Sequence, residues 1–193
     1  MKRGVSWRGR SRKCAKQLVV WALAGVMLGV VLGRVNAQAQ LDANDIQALT
    51  ARTVLGIISY ARWPVQPEVY RLCLAGDNSH LQNLNAEPQT IAGHDIQISQ
   101  PSLLGQQWLA QCDILYLGAM PRSQRLALLK TISAQAILTI GEGDEMCADG
   151  MMFCLDAVGP KAVLQTNLDA IARSGIRINP NVLLLLRPKA TQP

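Results

Sequence analysis

The sequence predicts an α/β domain with a largely parallel central sheet, flanking helices and one late hairpin. Three observations carry this expectation. Short apolar runs (VYRLCLA at 69–75, CDILYL at 112–117 and a third at 136–140) alternate with stretches of helical spacing, the pattern of strand–helix–strand units. Two further runs, Met151–Ala157 and Lys161–Thr166, flank Val158-Gly159-Pro160, a hairpin signal that requires an antiparallel pair. The chain has 193 residues, 49% of them hydrophobic, enough for one well-filled core but short for two.

Taken in order, residues 40–63 read as a helix. Asp42 or Asn44 can cap it. Ile46, Leu49, Thr53, Ile57 and Tyr60 share a face that Val54, Ile58 and Ala61 widen. Trp63-Pro64 ends it, because proline disfavours the helical conformation in the residue before it. Val69–Ala75 is a strand closed by Gly76-Asp77-Asn78, and a short helix follows at Ser79–Leu84. Pro88–Gly93 is expected as a loop, Asp95–Ser99 as a strand, Leu103–Ala110 as a helix and Cys112–Leu117 as a strand. Pro121–Ile132 has helical spacing with a proline acceptable in its first turn. Ala136–Ile140 is a buried strand, and Gly141–Asp149 is an acidic, glycine-bearing loop. After the hairpin, Asn167–Ser174 is a helix stopped by Gly175. Ile176–Ile178 is a short strand, Pro180–Leu186 a closing helix or strand, and Pro188–Pro193 a tail.

The net charge of +6 suggests nucleic-acid binding only until its distribution is seen. Eight of the 19 basic residues lie in the first 39 positions, which hold no Asp or Glu; the remainder has 11 basic residues against 13 acidic. Such a mildly acidic domain has no footprint for a phosphate backbone. The basic stretch Met1–Lys16, the apolar run Leu18–Leu32 and the sequence Val35-Asn36-Ala37-Gln38-Ala39 form the three regions of a secretory signal. Cleavage is expected after Ala37 or Ala39, leaving a domain over 40–193. The apolar run is short for a membrane-spanning helix of roughly 20 residues.

Export fits the cysteines. Cys14 lies in the signal, and Cys73, Cys112, Cys147 and Cys154 remain. An even number in an exported domain implies disulfides, with three connectivities open. No metal or cofactor is expected. His80 and His94 are not at ligand spacing on a helix, and a zinc site would need cysteines assigned to disulfides. Gly141-Glu142-Gly143-Asp144 lacks the third glycine or the lysine of a phosphate loop. No G-x-S-x-G occurs. An enzyme is therefore not expected.

Three segments carry a family resemblance: Ile57-Ile58-Ser59-Tyr60-Ala61-Arg62-Trp63-Pro64, Cys112-Asp113-Ile114-Leu115-Tyr116-Leu117-Gly118, and the stretch from Cys147 through Cys154 to Asn167–Pro180. Together they resemble the YfiR family over about 43–189. The resemblance implies a periplasmic α/β protein with two intramolecular disulfides that represses a YfiN-like inner-membrane diguanylate cyclase. A YfiB-like outer-membrane lipoprotein would draw it away, and cyclic di-GMP, biofilm and exopolysaccharide would be the output. A homodimer is a further expectation. The resemblance supports pairing Cys73 with Cys112, each in or at a predicted strand, and Cys147 and Cys154 are close enough to close a small ring. The chain-entropy model gives the rings roughly 4 and 2.5 kcal/mol. Cys147–Cys154, in an expected loop, is the candidate for redox sensitivity.

Candidate partner or ligand contacts follow. Arg177 lies between Ile176 and Ile178, so alternation puts it on the opposite face from both. It is either exposed, paired with Asp169 or Glu145, or a guanidinium at the mouth of an apolar pocket able to clamp a carboxylate or phosphate. Ile171, Asp169 and Asn179 share its segment. Tyr60, Arg62 and Trp63 close the first helix and are of the types enriched at interface hot spots, although a tryptophan there is more often packing. The alternative function is a periplasmic small-ligand receptor.

Overall fold

The computed structural model describes residues 44–85, 89–102, 105, 107–143, 145–158 and 161–186. The expected signal and its cleavage sites, the Asp42 cap, Leu103, the Gly159-Pro160 turn and the tail lie outside the described residues.

In chain order the domain has helix α1 over residues 44–59, β1 (Ala61–Arg62), β2 (Val69–Ala75) and a 3-10 helix at Ser79–Asn85. Next come β3 (Gln89–Ile91), β4 (His94–Ser99), a 3-10 turn at Gln107–Gln111, β5 (Ile114–Leu117) and α2 (Arg122–Ile132). They are followed by β6 (Leu138–Glu142), α3 (Glu145–Ala148), β7 (Phe153–Val158), β8 (Lys161–Thr166), α4 (Leu168–Ser174), β9 (Arg177–Ile178) and a 3-10 turn at Pro180–Leu184. The expected α/β class, parallel sheet and late hairpin are all present.

Seven strands form one sheet in the order β3-β4-β2-β5-β6-β7-β8, and β1 pairs with β9 in a separate ribbon. The inner strands β4, β2, β5, β6 and β7 run parallel; β3 and β8 add antiparallel edges. Among the five parallel strands the chain's first lies between its second and third, so the strand order reverses at β2. That is the doubly wound arrangement, which has a crevice between first and third strands at their carboxyl ends.

A parallel sheet must be covered on both faces, and strand alternation supplies two apolar faces here. Leu72, Leu74, Ile114, Tyr116, Leu138, Ile140 and Phe153 join a core that receives Val54, Ile57 and Ile58 from α1 and Ala170 from α4. Cys73, Ala75, Leu115, Leu117 and Cys154 face the other core, covered by Leu109, Leu128, Ile132 and Met146. Both disulfides form, Cys73–Cys112 with Cα atoms 5.8 Å apart and Cys147–Cys154 with 5.7 Å.

Several boundaries are corrected. α1 stops at 59, and Ala61–Arg62 leave it to pair with Arg177–Ile178. Gln89–Ile91, expected as loop, is an edge strand against β4. Gly141 and Glu142 extend β6, and Glu145–Ala148 makes one helical turn, so the expected acidic loop shrinks to its middle. The expected helix at 103–110 is, within the described residues, a 3-10 turn, as is the closing segment from Pro180. Each miss is a short element, and the β1–β9 pair exists only through a partner distant in sequence.

The crevice at the strand-order reversal is closed by backbone. Asp77 N donates to Ala119 O at 2.9 Å and Ala119 N to Asp77 O at 3.1 Å. The approach requires glycine: a Cβ on Gly118 would lie 1.6 Å from the Asp77 carbonyl oxygen. Gly118→Ala should therefore destabilise the domain by about 3 kcal/mol or more. Gly93→Ala, at φ +86 in open space, should cost only the left-handed penalty of about 1–2 kcal/mol. Thermal melting of both variants checks the ranking.

Candidate functional site

The candidate site is the outward face of the β1–β9 ribbon. Its position is set from both strands. At the end of α1, Arg62 Nη1 donates to Ser59 O at 2.8 Å and to Ala61 O at 2.7 Å, satisfying carbonyls that the helix end leaves open. Trp63, the next residue, is buried; its Nε1 donates to Asp113 O at 3.3 Å and its ring lies 5.1 Å from that of Tyr70. This anchors the exit of β1 to the start of β5. On the other strand, Gly175 ends α4 with φ +75, the left-handed C-cap that glycine adopts without strain. Ile176 is then buried in the core. After β9, Asn179 Oδ1 accepts from Asn181 N at 2.9 Å and caps the 3-10 turn.

The register is Ala61 opposite Ile178 and Arg62 opposite Arg177, and Asn179 N donates to Tyr60 O at 3.0 Å. Since side chains alternate across a strand, Ala61 and Ile178 turn toward the core while Arg62, Arg177 and Asn179 share the outer face; Tyr60, just before β1, is half-buried and packs against the main core. Three sequence-predicted candidates are thus brought together from positions more than a hundred residues apart. Arg62 and Arg177 are exposed and directly opposed. Like charges so placed destabilise a ladder. Arg177 forms no ion pair or hydrogen bond among the described residues, so the expected pairing with Asp169 or Glu145 is not made. Arginine remains charged at any physiological pH. The face therefore presents two fixed cationic forks with Arg62 Nε and Nη2 and the whole Arg177 guanidinium available to an anion.

Other candidates lie elsewhere. Trp63 is corrected from contact surface to packing by its burial. Ile171 is half-buried against the main core, and Asp169 is exposed in the first turn of α4, where a negative charge suits the helix dipole. The Cys147–Cys154 bond is less open than a loop would make it: Cys154 is 1% exposed within β7 and Cys147 packs against the second core from α3.

Two electrostatic nodes had no signal in the sequence. Asp149, inside the Cys147–Cys154 ring, accepts from Arg122 Nη2 and Arg125 Nη2 at 2.6 Å each, one on each oxygen. Those hydrogen bonds, Arg122's first and Arg125's second, hold its carboxyl below the usual range. The node ties the ring to α2. Near the closed crevice, buried Tyr116 donates to Glu142, and His80 Nδ1 lies 3.4 Å from the same carboxylate. Burial raises the Glu142 pKa against the opposing effects of Tyr116 and His80; burial, then the Glu142 charge, pushes Tyr116 upward. Arg125 and Asp149 are 24 residues apart, and Tyr116 and Glu142 26, beyond any local pattern.

A protein-family model described as YfiR/HmsC-like matches residues 47–187 of the chain, a span that includes most of α1, both disulfides and the ribbon.

Two outcomes are expected. Arg177→Glu would set opposite charges across the ribbon and should raise stability by roughly 0.2–1 kcal/mol, read as a higher melting temperature. Asp149 has a depressed folded pKa, so its stabilisation is present above the ordinary carboxylate value of about 4 and is lost as pH falls through the depressed value. Asp149→Asn should melt lower at neutral pH and show a shallower loss of melting temperature on acidification. Parallel acid limbs in wild type and variant would contradict the assignment.

Proposed function

The chain belongs to the YfiR/HmsC-like family, and from that premise we propose that it is an exported inhibitor of a YfiN-like inner-membrane diguanylate cyclase, acting in the periplasm after cleavage at Ala37 or Ala39. The observation that carries this reading is the family match across 47–187. The two disulfides agree with an oxidising compartment. Inhibition needs no chemistry from the domain. It needs higher affinity for the inactive cyclase than for the active one, because a ligand shifts an equilibrium only by its differential affinity.

The ribbon is the contact we assign to this task. Arg62 and Arg177 oppose each other at a cost in stability, and an acidic partner surface would relieve their repulsion. Arginine is among the side chains enriched where protein recognises protein. A YfiB-like outer-membrane lipoprotein competing for the inhibitor would then release the cyclase. The same two guanidiniums also suit a small carboxylate or phosphate, which would make a ligand-tuned receptor the second reading.

Deleting the protein in a host that carries the cyclase should raise cyclic di-GMP and surface attachment. Restoring it as Arg177→Ala should leave melting and periplasmic abundance near wild type but weaken inhibition about tenfold or more, the equivalent of one lost charge-assisted contact. Arg177→Lys should restore little, because it lacks the planar fork. Cyclic di-GMP unchanged by the deletion would refute the regulatory reading. A stable, fully inhibitory Arg177→Ala protein would remove the ribbon from it.

A further inference from the structure

A cleft not used by the proposed function lies beside α2 and α4. It is open, about 250 Å3 in volume, between the carboxyl ends of the two helices. Its lining includes apolar Ile132, Ile137, Met152 and Ala170, all buried. Its rim carries Lys130 and Arg173, both exposed and without an ion pair among the described residues. Asp149 also lines the cleft, but both of its oxygens are taken by Arg122 and Arg125. One carbonyl near each helix end is engaged as well: Ser133 Oγ donates to Lys130 O at 2.9 Å and Ser174 Oγ to Ile171 O at 2.8 Å. What faces the cleft is an apolar patch of Ile132, Ile137, Met152 and Ala170 beside polar Ser133, Gln135, Thr139 and Ser174, with Lys130 and Arg173 at the rim.

We infer that this cleft binds a small organic carboxylate, its apolar body on the apolar patch and its charge between Lys130 and Arg173. Its volume lies just below the roughly 300–1,000 Å3 of sites for drug-sized ligands, which selects a molecule of one ring or a short chain over a peptide. An apolar patch with convergent polar groups is the usual construction of such sites. The ligand would touch Asp149, Gly150 and Met152, three residues enclosed by the Cys147–Cys154 ring.

Phenylacetate titrated into the full mature protein, followed by calorimetry and amide chemical shifts, is the test. Saturable binding in the millimolar range or tighter is expected, weakened about tenfold by Lys130→Ala or by Arg173→Ala, each of which removes a charge-assisted contact. Phenylacetamide, which has the body without the charge, and inorganic phosphate, which has the charge without the body, should each bind at least about tenfold more weakly. Arg177→Ala should bind phenylacetate as wild type does. Both tested side chains are exposed and unbonded, so their variants keep the fold. Absence of saturable binding, indifference to both substitutions, equal affinity for phosphate, or loss of binding in Arg177→Ala overturns the inference. The first three do so without touching the ribbon's role; the last moves the ligand to the ribbon.

Discussion

The seam between β2 and β5 is the constraint on which the rest of the domain depends. Four residues of each strand pair in parallel, from Leu72 opposite Ile114 to Ala75 opposite Leu117. Below that ladder, Asp113 N donates to Arg71 O, Arg71 N donates to Asp113 Oδ2, and the two side chains form a forked ion pair, with Arg71 Nη2 2.7 Å from Asp113 Oδ1. Beside it the Cys73–Cys112 disulfide joins the second face, and above it Asp77 and Ala119 close the backbone bridge. The guanidinium is too open to solvent for its ion pair to count as a large stabilisation. Its value is registration. A parallel pair has no tight turn to set its register, and a slip of one residue would turn every side chain to the wrong face.

The ribbon inherits its position from that seam. Trp63 reaches the Asp113 carbonyl, so the end of β1 is held at the foot of β5, while Ile176 sinks β9 into the same core. Between these anchors the outward residues are under no packing constraint. A scaffold selected for stability alone would set an acid opposite Arg62. The retained pair of arginines is a local inconsistency, and such inconsistencies concentrate where recognition is required.

The Cys147–Cys154 ring is the second junction. It meets α2 through Asp149, and Asn167 Nδ2 donates to Cys147 O at 2.8 Å. Asn167 also caps α4, accepting from Ala170 N. One small covalent loop thereby fixes the two helices whose ends frame the cationic cleft. Opening the ring would loosen α2 and α4 together while leaving the β2–β5 seam closed.

The sequence by itself determined the class of the domain. Apolar runs of strand length alternating with helical periodicity specify a sheet covered on both faces, because each pattern is a local response to burial on one side. It also determined the charge asymmetry that separates the first 39 residues from the rest, the even set of cysteines, and the separate candidacies of Tyr60, Arg62, Arg177 and Asn179. Tertiary structure alone decided which of these meet. Alternation marked a strand at Ile176–Ile178 but nothing marked β1, and the two strands exist only because each supplies the other's hydrogen bonds across the 117 residues from Ala61 to Ile178. Of the two readings open for Trp63 the fold chose packing, since burial depends on what packs above a residue and not on its type. The Asp149 node, the Tyr116–Glu142–His80 group and the cleft beside Lys130 and Arg173 join side chains whose spacing follows no helix or strand repeat. Local pattern encodes faces; only the fold brings two faces to one place.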